Sequence, residues 1–366
     1  MRIIHCADLH LDSKMTSNLD GAKAKERKAE LLGTFTRMVN YAKIHDVTAI
    51  LIAGDMFDTS SISALTRNTV RETIIRNSDI DFYYLKGNHD RDSFLSSLDE
   101  IPENLMLFTN KWTSYPLNDD GSVILTATEL DADNSVTCFN SLVLNPEAIN
   151  IVMLHGQETE GITKDKAEIV PIRELKNKNI DYLALGHIHS YKEERLDGRG
   201  VYCYPGCLEG RGFDETGEHG FVLLNIDEKA GKIERTFVPF ATRRLYEEQV
   251  DVSGCLSTGD MIDKITESLS DIDATSSDML KIVLTGEVDV EAEKDTDYIL
   301  KNFCDNYYYL KVYDKTTLRV DYTEYALDAS LKGEYVRMIQ EAEDIPEADK
   351  PEVIKMGLMA LAKETV

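Results

Sequence analysis

The sequence has no long apolar segment and no closely spaced pair of cysteines. No apolar run approaches the ~20 residues that a transmembrane helix needs, so we expect no membrane association. Residues 2–7 resemble a strand and lack the architecture of a cleavable signal, which predicts a cytoplasmic protein. The six cysteines are scattered without a Cys-x-x-Cys pair. This pattern favours small buried side chains over a zinc site or a disulfide.

Basic residues are scarce, with 40 Lys and Arg against 66 Asp and Glu and a formal net charge of −26. About half of the acidic excess lies from Arg243 onward, where 28 acidic residues accompany 14 basic ones. Such a chain is not expected to coat nucleic acid through a broad basic surface. The charge does not exclude a cleft in which metal ions supply the positive charge. One modest basic cluster is more typical of a solvated helix face: Lys14, Lys23, Lys25, Arg27 and Lys28.

The first two thirds of the chain alternate short apolar runs with helical patterns. Residues 22–45 carry apolar side chains at helical spacing, while residues 48–53 form the continuous apolar run of a strand covered on both faces. Alternating strands and helices, followed by a run of strands, predict an α/β sandwich with mixed sheets. We divide the chain into a catalytic domain at 1–240, a smaller α+β domain at 241–329 and a helical segment at 330–366.

Five short segments supply Asp, Asn or His side chains directly after predicted strands. They are Asp8-Leu9-His10, Gly54-Asp55, Gly87-Asn88-His89-Asp90, His155-Gly156 and Gly186-His187-Ile188-His189. Each segment alone is weak evidence, since a lone Gly-Asp is more often a turn than a ligand. Together they contain five of the eight histidines, at strand ends where open α/β sheets place their sites. The ensemble predicts a metal centre.

The order of these motifs resembles the calcineurin-like metallophosphoesterase superfamily. The resemblance implies a four-layer α/β/β/α sandwich with two mixed sheets, a small α+β capping domain and C-terminal helices. It implies a two-metal site, with ligands assigned by motif position. These are Asp8, His10 and His189 for one ion, Asn88, His155 and His187 for the other, and Asp55 as the bridge.

The chemistry of such a site is phosphoester hydrolysis. Two divalent ions about 3.5–4 Å apart activate a hydroxide and clamp the phosphate oxygens. Nitrogen and oxygen donors without thiolate favour Mn²⁺, with Fe or Zn as alternatives. The resemblance makes His89 the catalytic imidazole, with Asp90 orienting it. Since imidazole titrates near neutral pH, His89 is suited to stabilise developing charge or to protonate the leaving oxygen.

Further segments are similar to one branch of the superfamily, the SbcD-type DNA repair nucleases, bacterial relatives of the meiotic-recombination nuclease of double-strand-break repair. The similar segments are residues 4–12, residues 204–217 and the tail that starts at residue 330. The resemblance implies a Mn²⁺-dependent DNA exonuclease that works beside an SbcC-like coiled-coil ATPase. Two amphipathic helices, predicted at 332–343 and 351–363, fit docking onto that ATPase. A homodimer is one option for the oligomeric state.

Two more residues are candidates for the site. Asp58 stands where archaeal and eukaryotic relatives carry a histidine. It is interpreted either as a contact to a metal ligand or metal-bound water, or as the N-cap of a helix ahead of Ile62. Arg211 lies in a glycine-rich segment that either shapes a loop or meets substrate, and its planar guanidinium suits phosphate.

Two other functions stay open at this point. One is a metallophosphatase or cyclic-nucleotide phosphodiesterase that acts on a small molecule or a phosphoprotein. The other is an inactive scaffold protein, which the complete set of ligand residues disfavours. The sequence decides neither cleavage polarity nor exonuclease against endonuclease activity.

Overall fold

A computed structural model of the chain describes residues 1–15, 19–58, 62–90, 94–98, 100–135, 137–161, 168–289, 292–320 and 322–363. The last three residues of the predicted segment 330–366 lie outside these ranges. The chain divides into two compact units, Met1–Arg244 and Leu245–Val366. The domain boundaries placed at 240 and 329 stay predictions.

The bounds of the strands and helices in the first unit are as follows. The strands are β1 (Arg2–Cys6), β2 (Ala49–Ala53), β3 (Asp81–Leu85), β4 (Leu105–Leu107), β5 (Thr113–Pro116), β6 (Val123–Ala127), β7 (Ile149–His155), β8 (Gln157–Thr159), β9 (Ile169–Pro171), β10 (Tyr182–Gly186), β11 (Lys192–Arg195), β12 (Val201–Tyr204), β13 (Gly220–Asp227) and β14 (Lys232–Pro239). The helices are α1 (Gly21–Ile44), α2 (Ala64–Arg76), α3 (Cys138–Ser141) and α4 (Ile172–Leu175).

Two six-stranded mixed sheets form the first unit. Their strand orders are β14-β13-β1-β2-β3-β4 and β11-β12-β10-β7-β6-β5. Most strands of each sheet are parallel, but β13 runs antiparallel to its neighbours β1 and β14, and β5 and β11 run antiparallel to their neighbours β6 and β12. All five residues of β2 are buried, as expected of a strand covered on both faces. The predicted α/β fold with two mixed sheets is confirmed.

Alternating side chains place the core between the sheets and the helices outside them. Leu51 of β2 and Met153 of β7 belong to one buried cluster drawn from both sheets. On the far side of the second sheet, Leu154 packs in a cluster with Phe139 of α3 and Ile172 of α4. Against the first sheet, Tyr41 of α1 contacts Phe221 of β13, with ring centroids 5.2 Å apart. The layers therefore follow the order helix, sheet, sheet, helix.

The caps of the two long helices are local sequence effects. Asp20 caps α1 by accepting hydrogen bonds from the backbone N–H groups of Ala22 and Lys23. Ser63 caps α2 in the same way, accepting from the N–H of Thr66. The interpretation of Asp58 as the N-cap ahead of Ile62 is therefore wrong, and its carboxylate is available for other contacts.

The second unit begins with a three-stranded sheet. The strands of this unit are β15 (Leu245–Asp251), β16 (Met279–Thr285), β17 (Glu287–Asp289), β18 (Tyr309–Asp314) and β19 (Thr317–Arg319), and its first helices are α5 (Thr258–Leu269) and α6 (Thr296–Phe303). Strands β15, β16 and β18 are parallel neighbours, with β17 and β19 as a separate pair. The helices α5 and α6 make the crossovers between the parallel strands. They bury Met261 and Ile299 against Ile282 of the sheet.

Three helices complete this unit: α7 (Tyr322–Leu327), α8 (Leu331–Glu341) and α9 (Lys350–Lys363). The two helices predicted at 332–343 and 351–363 are thus present within a residue or two. Val336 and Ile339 of α8 pack against Ile354 and Leu358 of α9 in a small core of their own. In the part of the chain that the structure describes, no helix is long and apolar enough to cross a lipid bilayer. The cysteines form no disulfide, and all except Cys304 are buried.

Candidate metal centre

The polar motifs lie at the carboxyl ends of neighbouring parallel strands. β1, β2 and β3 are adjacent in the first sheet, and β7 and β10 are adjacent in the second. The motif residues are Asp8 and His10 after β1, Asp55 and Asp58 after β2, Asn88, His89 and Asp90 after β3, His155 at the end of β7, and His187 and His189 after β10. The two sheets meet where His155 Nδ1 donates a hydrogen bond to the Ala53 carbonyl, at 2.9 Å. The motifs therefore share one edge of the sandwich.

Four of the candidate ligands have strained backbone. Asp8, His10, Asp55 and His187 have φ angles of 51°, 43°, 51° and 108°, in the left-handed region that non-glycine residues rarely adopt. Such conformations cost on the order of 1–3 kcal/mol each and persist only where the surrounding structure imposes them. They cluster at functional sites, and here four fall on predicted ligands. The backbone at these strand ends is therefore set to aim side chains, at a cost in stability.

Two glycines make this close approach of donor groups feasible. A Cβ added at Gly54 would overlap the His155 ring, and one added at Gly87 would overlap the Asp55 carboxylate. Gly54 also has a φ of 91°, which strains any other residue. The glycines of the Gly-Asp and Gly-Asn-His-Asp motifs are thus explained by the space that their neighbours occupy.

His155 presents a lone pair toward two oxygen acceptors. Its Nδ1 donates to a backbone carbonyl, so the neutral ring carries its lone pair on Nε2. Nε2 lies 3.0 Å from Asn88 Oδ1 and 3.4 Å from Asp55 Oδ2. Burial opposes the charged form of His155, but its hydrogen bond with Asp55 and the charges of Asp8 and Asp55 raise its pKa to about 9. These groups favour a positive charge at the point where they meet.

His10 and His189 converge on a second point. Their Nε2 atoms lie 3.2 Å apart, and each Nδ1 faces a carboxylate. His10 Nδ1 lies 3.1 Å from Asp58 Oδ1, and His189 Nδ1 lies 2.7 Å from Glu215 Oε1. Because a carboxylate only accepts, His189 Nδ1 donates to Glu215, which leaves the lone pair of His189 on Nε2, and the Asp58 carboxylate beside His10 Nδ1 favours the same tautomer of His10. Two imidazole lone pairs at this distance suit a shared cation.

Asp55 lies between the two points. Its Oδ2 is 3.4 Å from His155 Nε2 and 3.9 Å from His10 Nε2, while its Oδ1 accepts a hydrogen bond from the His89 N–H at 2.8 Å. Burial alone would raise the pKa of Asp55, but the hydrogen bond and charge of His155 lower it to about 2. Asp55 is therefore a carboxylate anion placed where a bridge between two cations is needed.

Asp8 is buried and lacks a cationic partner strong enough to offset that burial. Both of its oxygens accept from the His187 N–H, at 3.0 and 2.9 Å, yet burial raises its pKa to about 7. A divalent cation would supply the missing positive charge. Donor atoms of Asp8, His10 and His189 lie within 4.8 Å of one another, as do those of Asp8, Asp55 and His155. By the chemistry and geometry of these donors, the residues fit two divalent cations.

The side chain of His187 is placed differently from the other predicted ligands. Its ring packs edge-on against His155 with centroids 5.4 Å apart. Burial lowers the pKa of His187, which favours the neutral ring that a metal ligand requires. Among the described residues, it is not part of the groups whose donor atoms converge within 4.8 Å. Its assignment as a ligand stays a prediction.

The predicted catalytic histidine lies at the open side of the site. The side chain of His89 is 47% exposed, and its Nδ1 is 3.5 Å from Asp58 Oδ1. The carboxylate of Asp90, in contrast, accepts hydrogen bonds from the backbone N–H groups of Met56, Phe57 and Gly87. Asp90 therefore fixes the loops after β2 and β3, and the carboxylate beside His89 is that of Asp58.

Arg211 and Glu215 complete the surroundings of the site. Arg211 Nη2 donates to Glu215 Oε1 at 2.7 Å, and Nη1 donates to Asp58 Oδ1 at 3.2 Å. Burial alone would raise the pKa of Glu215, but His189 and Arg211 hold it well below its usual range. Sequence reasoning selected Arg211 and missed Glu215. The i, i+4 spacing that pairs charges on a helix gives no such signal here, because both residues lie in the loop between β12 and β13.

The sequence model of the calcineurin-like phosphoesterase family matches residues 1–191. This match covers more than half of the chain and includes every motif from Asp8 to His189. The chain belongs to this family.

Several curated proteins are similar to the chain. An uncharacterized metallophosphoesterase, YhaO of Bacillus subtilis (strain 168), is 26% identical over 240 residues, which are 62% of this chain and 57% of that protein. The DNA double-strand break repair protein Mre11 of Methanopyrus kandleri is 27% identical over 282 residues, 69% of this chain and 60% of its own. One component of the nuclease SbcCD of Escherichia coli (strain K12) is 31% identical over 112 residues, 30% of this chain and 25% of its own.

The chain thus spans less than two thirds of the length of these relatives. Among solved structures, a dimetal phosphatase from Danio rerio matches with a TM-score of 0.40 and 13% identity, over 62% of this chain and 92% of that one.

Proposed function

We propose that this chain is a two-metal phosphodiester hydrolase, and that its substrate is DNA, which it degrades as an SbcD-like exonuclease. The observation that carries the reaction class is the convergence of inward-facing histidine Nε2 atoms and carboxylate oxygens around Asp55. Membership of the calcineurin-like phosphoesterase family supports the same class.

Several of the proposed ligands lie beside a group that orients them. Asp8, His10 and His189 would hold one ion, and Asn88, His155 and His187 the other, with Asp55 shared. The hydrogen bonds from Nδ1 of His155 and His189 fix these rings with Nε2 inward, and the Asp58 carboxylate lies 3.1 Å from His10 Nδ1. Mn²⁺ suits this set of nitrogen and oxygen donors, and Fe and Zn are the alternatives for the test below.

The hydrolysis is divided between the cations and this chain's own side chains. The two ions, when bound, would lower the pKa of a water molecule and neutralise the phosphate oxygens. His89 lies at the open side, 5.1 Å from His10 by ring centroids, where a leaving oxygen would emerge. Asp58 Oδ1 lies 3.5 Å from His89 Nδ1, where it would orient the ring, and His89 would stabilise the developing charge or protonate the leaving group.

The choice of DNA rests on similarity, and the charge of the chain opposes it. The relatives named as a double-strand break repair protein and as part of a nuclease support a nucleic-acid substrate, as does the resemblance of residues 204–217 and the tail. A net charge of −26 disfavours broad electrostatic binding of a polyanion. A substrate end held mainly by the metal site reconciles the two observations, and it favours exonuclease action.

The second unit supplies the proposed partner surface. Helices α8 and α9 share one small core, yet Leu331 and Met338 on α8 and Met356 on α9 are exposed. We propose that this helical segment docks onto an SbcC-like ATPase and that residues 241–329 act as a capping domain beside DNA. A cytoplasmic location and a homodimer belong to the same proposal.

The substrate is tested by offering DNA and a small ester side by side. Purified protein is incubated with Mn²⁺ and end-labelled duplex DNA, and in parallel with a chromogenic bis-phosphodiester. We expect loss of the end label and slower cleavage of the small ester, with both activities abolished by a chelator. Cleavage of the small ester alone would contradict the nuclease proposal and favour a phosphatase or cyclic-nucleotide phosphodiesterase, the function that the acidic charge supports. Metal binding without cleavage of either substrate would favour the third function, that of an inactive scaffold protein.

A further inference from the structure

Arg211 is held between two carboxylates that belong to different loops. Its Nη1 donates to Asp58, which follows β2, and its Nη2 and Nε donate to Glu215 Oε1 at 2.7 and 3.1 Å, in the loop between β12 and β13. The backbone N–H of Arg211 also donates to Glu215 Oε2 at 2.7 Å. A guanidinium that contacts one carboxylate through two nitrogens has a fixed orientation.

Each of these carboxylates holds a different histidine of the candidate metal centre. Asp58 Oδ1 lies 3.1 Å from His10 Nδ1, and Glu215 accepts a hydrogen bond from His189 Nδ1 at 2.7 Å. The two histidines then face each other through Nε2 at 3.2 Å. The five side chains form a closed ring in which every member contacts the next: His10, Asp58, Arg211, Glu215 and His189.

A buried ion pair supports the loop that contributes Arg211 to this ring of five side chains. Arg27 of α1 is fully buried and donates from Nη2 to the Gly210 carbonyl at 2.7 Å and to Glu209 Oε2 at 3.2 Å. On the other side of the loop, His219 Nε2 donates to the Glu215 carbonyl at 2.9 Å. The backbone on both sides of Arg211 is thereby fixed, so the guanidinium has little freedom to leave the carboxylates.

We propose that Glu215 and Arg211 are positioning residues that set the affinity of one of the two cation sites. Glu215 holds His189 in the tautomer with its lone pair on Nε2, and Arg211 holds Glu215 and Asp58 in place and offsets their charge. The carboxylate partner of a metal-bound histidine typically contributes about 10–100-fold to metal affinity. This inference rests on the proposed two-metal function, and it assigns residues outside the matched range 1–191.

The same geometry favours a role for Arg211 in positioning the carboxylates over a role in binding phosphate. The side chain is 20% exposed, and three of its nitrogens already donate to carboxylates. It lines a cavity of about 370 Å³ together with Asp214 and Glu215, whose charges would repel a phosphate group. The predicted phosphate contact becomes the alternative outcome of the experiment.

The first test changes Glu215 and uses its neighbour as the control. Mn²⁺ binding to the full chain is measured by calorimetry, with bound ions counted by electron paramagnetic resonance. In Glu215→Gln we expect two ions with one affinity reduced by about 10–100-fold and the other unchanged. Asp214→Asn removes the same charge from an exposed side chain of the same cavity and should leave both affinities unchanged. Equal effects of the two substitutions, or no effect of either, would overturn the inference.

The second test separates the two roles of Arg211. If Arg211 is a positioning residue, Arg211→Lys weakens one Mn²⁺ site, and excess Mn²⁺ restores turnover without a change in KM for the substrate. If Arg211 binds phosphate, Mn²⁺ affinity is unchanged and KM rises. Lys keeps the charge and loses the planar fork, so equal losses of Mn²⁺ affinity in Arg211→Lys and Arg211→Ala would assign the effect to the geometry of the guanidinium, and a loss only in Arg211→Ala would assign it to the charge.

Folding and the broader proposal are controlled separately. Asp58→Asn removes the other carboxylate of the ring, and it should weaken the same Mn²⁺ site even if the Glu215 variant proves unstable. If the unaltered protein binds no Mn²⁺, the two-metal proposal itself fails. If it binds two ions and both single-carboxylate variants bind as it does, only the positioning inference fails.

Discussion

The candidate centre has two halves, one with His155 and one with His10 and His189, and the two halves orient their histidines by different means. His155 is fixed by a backbone carbonyl, that of Ala53 at the end of β2. His10 and His189 are fixed by the side chains of Asp58 and Glu215. A carbonyl within a central parallel strand cannot be removed by substitution, whereas a carboxylate on a loop can be replaced, shifted or neutralised. One half is thus built into the sheet and the other depends on loop side chains.

This difference has a consequence for the cations. A site whose ligands are oriented by the sheet should keep its affinity when surrounding side chains change. A site whose ligands are oriented by charged loop residues can differ in affinity between related chains that share the same fold. We therefore expect two unequal cation affinities, with the His10 and His189 site as the tunable one.

Substitution of Asp55 should have the largest effect, because its carboxylate belongs to both halves. In Asp55→Asn the shared anion becomes neutral, so neither proposed cation has the carboxylate charge between them. We expect weaker binding of both ions and a loss of activity greater than the ~100-fold typical of a residue that only orients a ligand. Calorimetry with Mn²⁺ and a cleavage assay would measure the two losses. If one affinity survived intact, Asp55 would not be the bridge.

His89→Ala should have the next largest effect and should leave both halves intact. Its ring is half exposed and contacts the edge of His10, so its removal creates little packing loss. We expect turnover to fall by about 10²–10⁴-fold, the usual contribution of a general acid or base, with two Mn²⁺ ions still bound. The donor atoms of His10, Asp58 and His89 also lie within 4.8 Å of one another. Loss of one ion in this variant would therefore make His89 a ligand.

The sequence predicted many of the residues that meet in the candidate site, because local sequence patterns mark the strand ends on which they lie. Strand ends that deliver Asp, Asn and His fixed which residues would meet, since parallel strands bring their carboxyl ends to one edge. The glycines beside them indicated close approach. The helices α1, α8 and α9 were visible from apolar spacing, which needs only neighbours in the chain.

What the sequence did not reveal depends on contacts distant in the chain. Arg27 looked like part of a solvated basic face, yet it is fully buried against Glu209, 182 residues away. Glu215 was unremarked because its role exists only once His189 lies beside it. Asp90 was paired with its neighbour His89, whereas its carboxylate accepts backbone N–H groups of the loop after β2. The conformation of the loops determines the contacts of all three residues, and the local periodicity of the sequence does not encode that conformation.

A histidine outside the site gives the sharpest contrast with His155. His5 lies on β1 and is fully buried, with Nδ1 2.8 Å from the hydroxyl of Tyr182. Among the described residues, its Nε2 has no hydrogen-bond partner. Burial lowers the pKa of His5 to about 3, whereas the carboxylates beside His155 raise the pKa of that equally buried ring to about 9. Burial alone therefore keeps a histidine neutral in this fold, and nearby acidic groups reverse the effect.

The smallest predicted effect follows from His5 and concerns stability. Its folded pKa of about 3 lies below the 6.5 of an unfolded chain, so the unfolded state binds the proton first as pH falls. The stability that neutral His5 provides is complete above pH 6.5 and declines between about pH 6.5 and 3. At pH 5 the loss is about 2 kcal/mol, since each pH unit below the unfolded pKa is worth about 1.4 kcal/mol.

Denaturant unfolding of the unaltered protein and of His5→Gln, each at pH 8 and pH 5, measures this loss. Because Gln does not titrate, the difference in unfolding free energy between the two proteins should shift in favour of His5→Gln by about 2 kcal/mol on going to pH 5. Other groups titrate in both proteins, so their contributions to the free energy of unfolding cancel in the difference. A difference that stays constant between the two pH values would mean that His5 accepts its proton in the folded state. The contrast between an isolated buried histidine and one beside carboxylates would then be lost, and with it the argument that the acidic groups of the site are what attract positive charge.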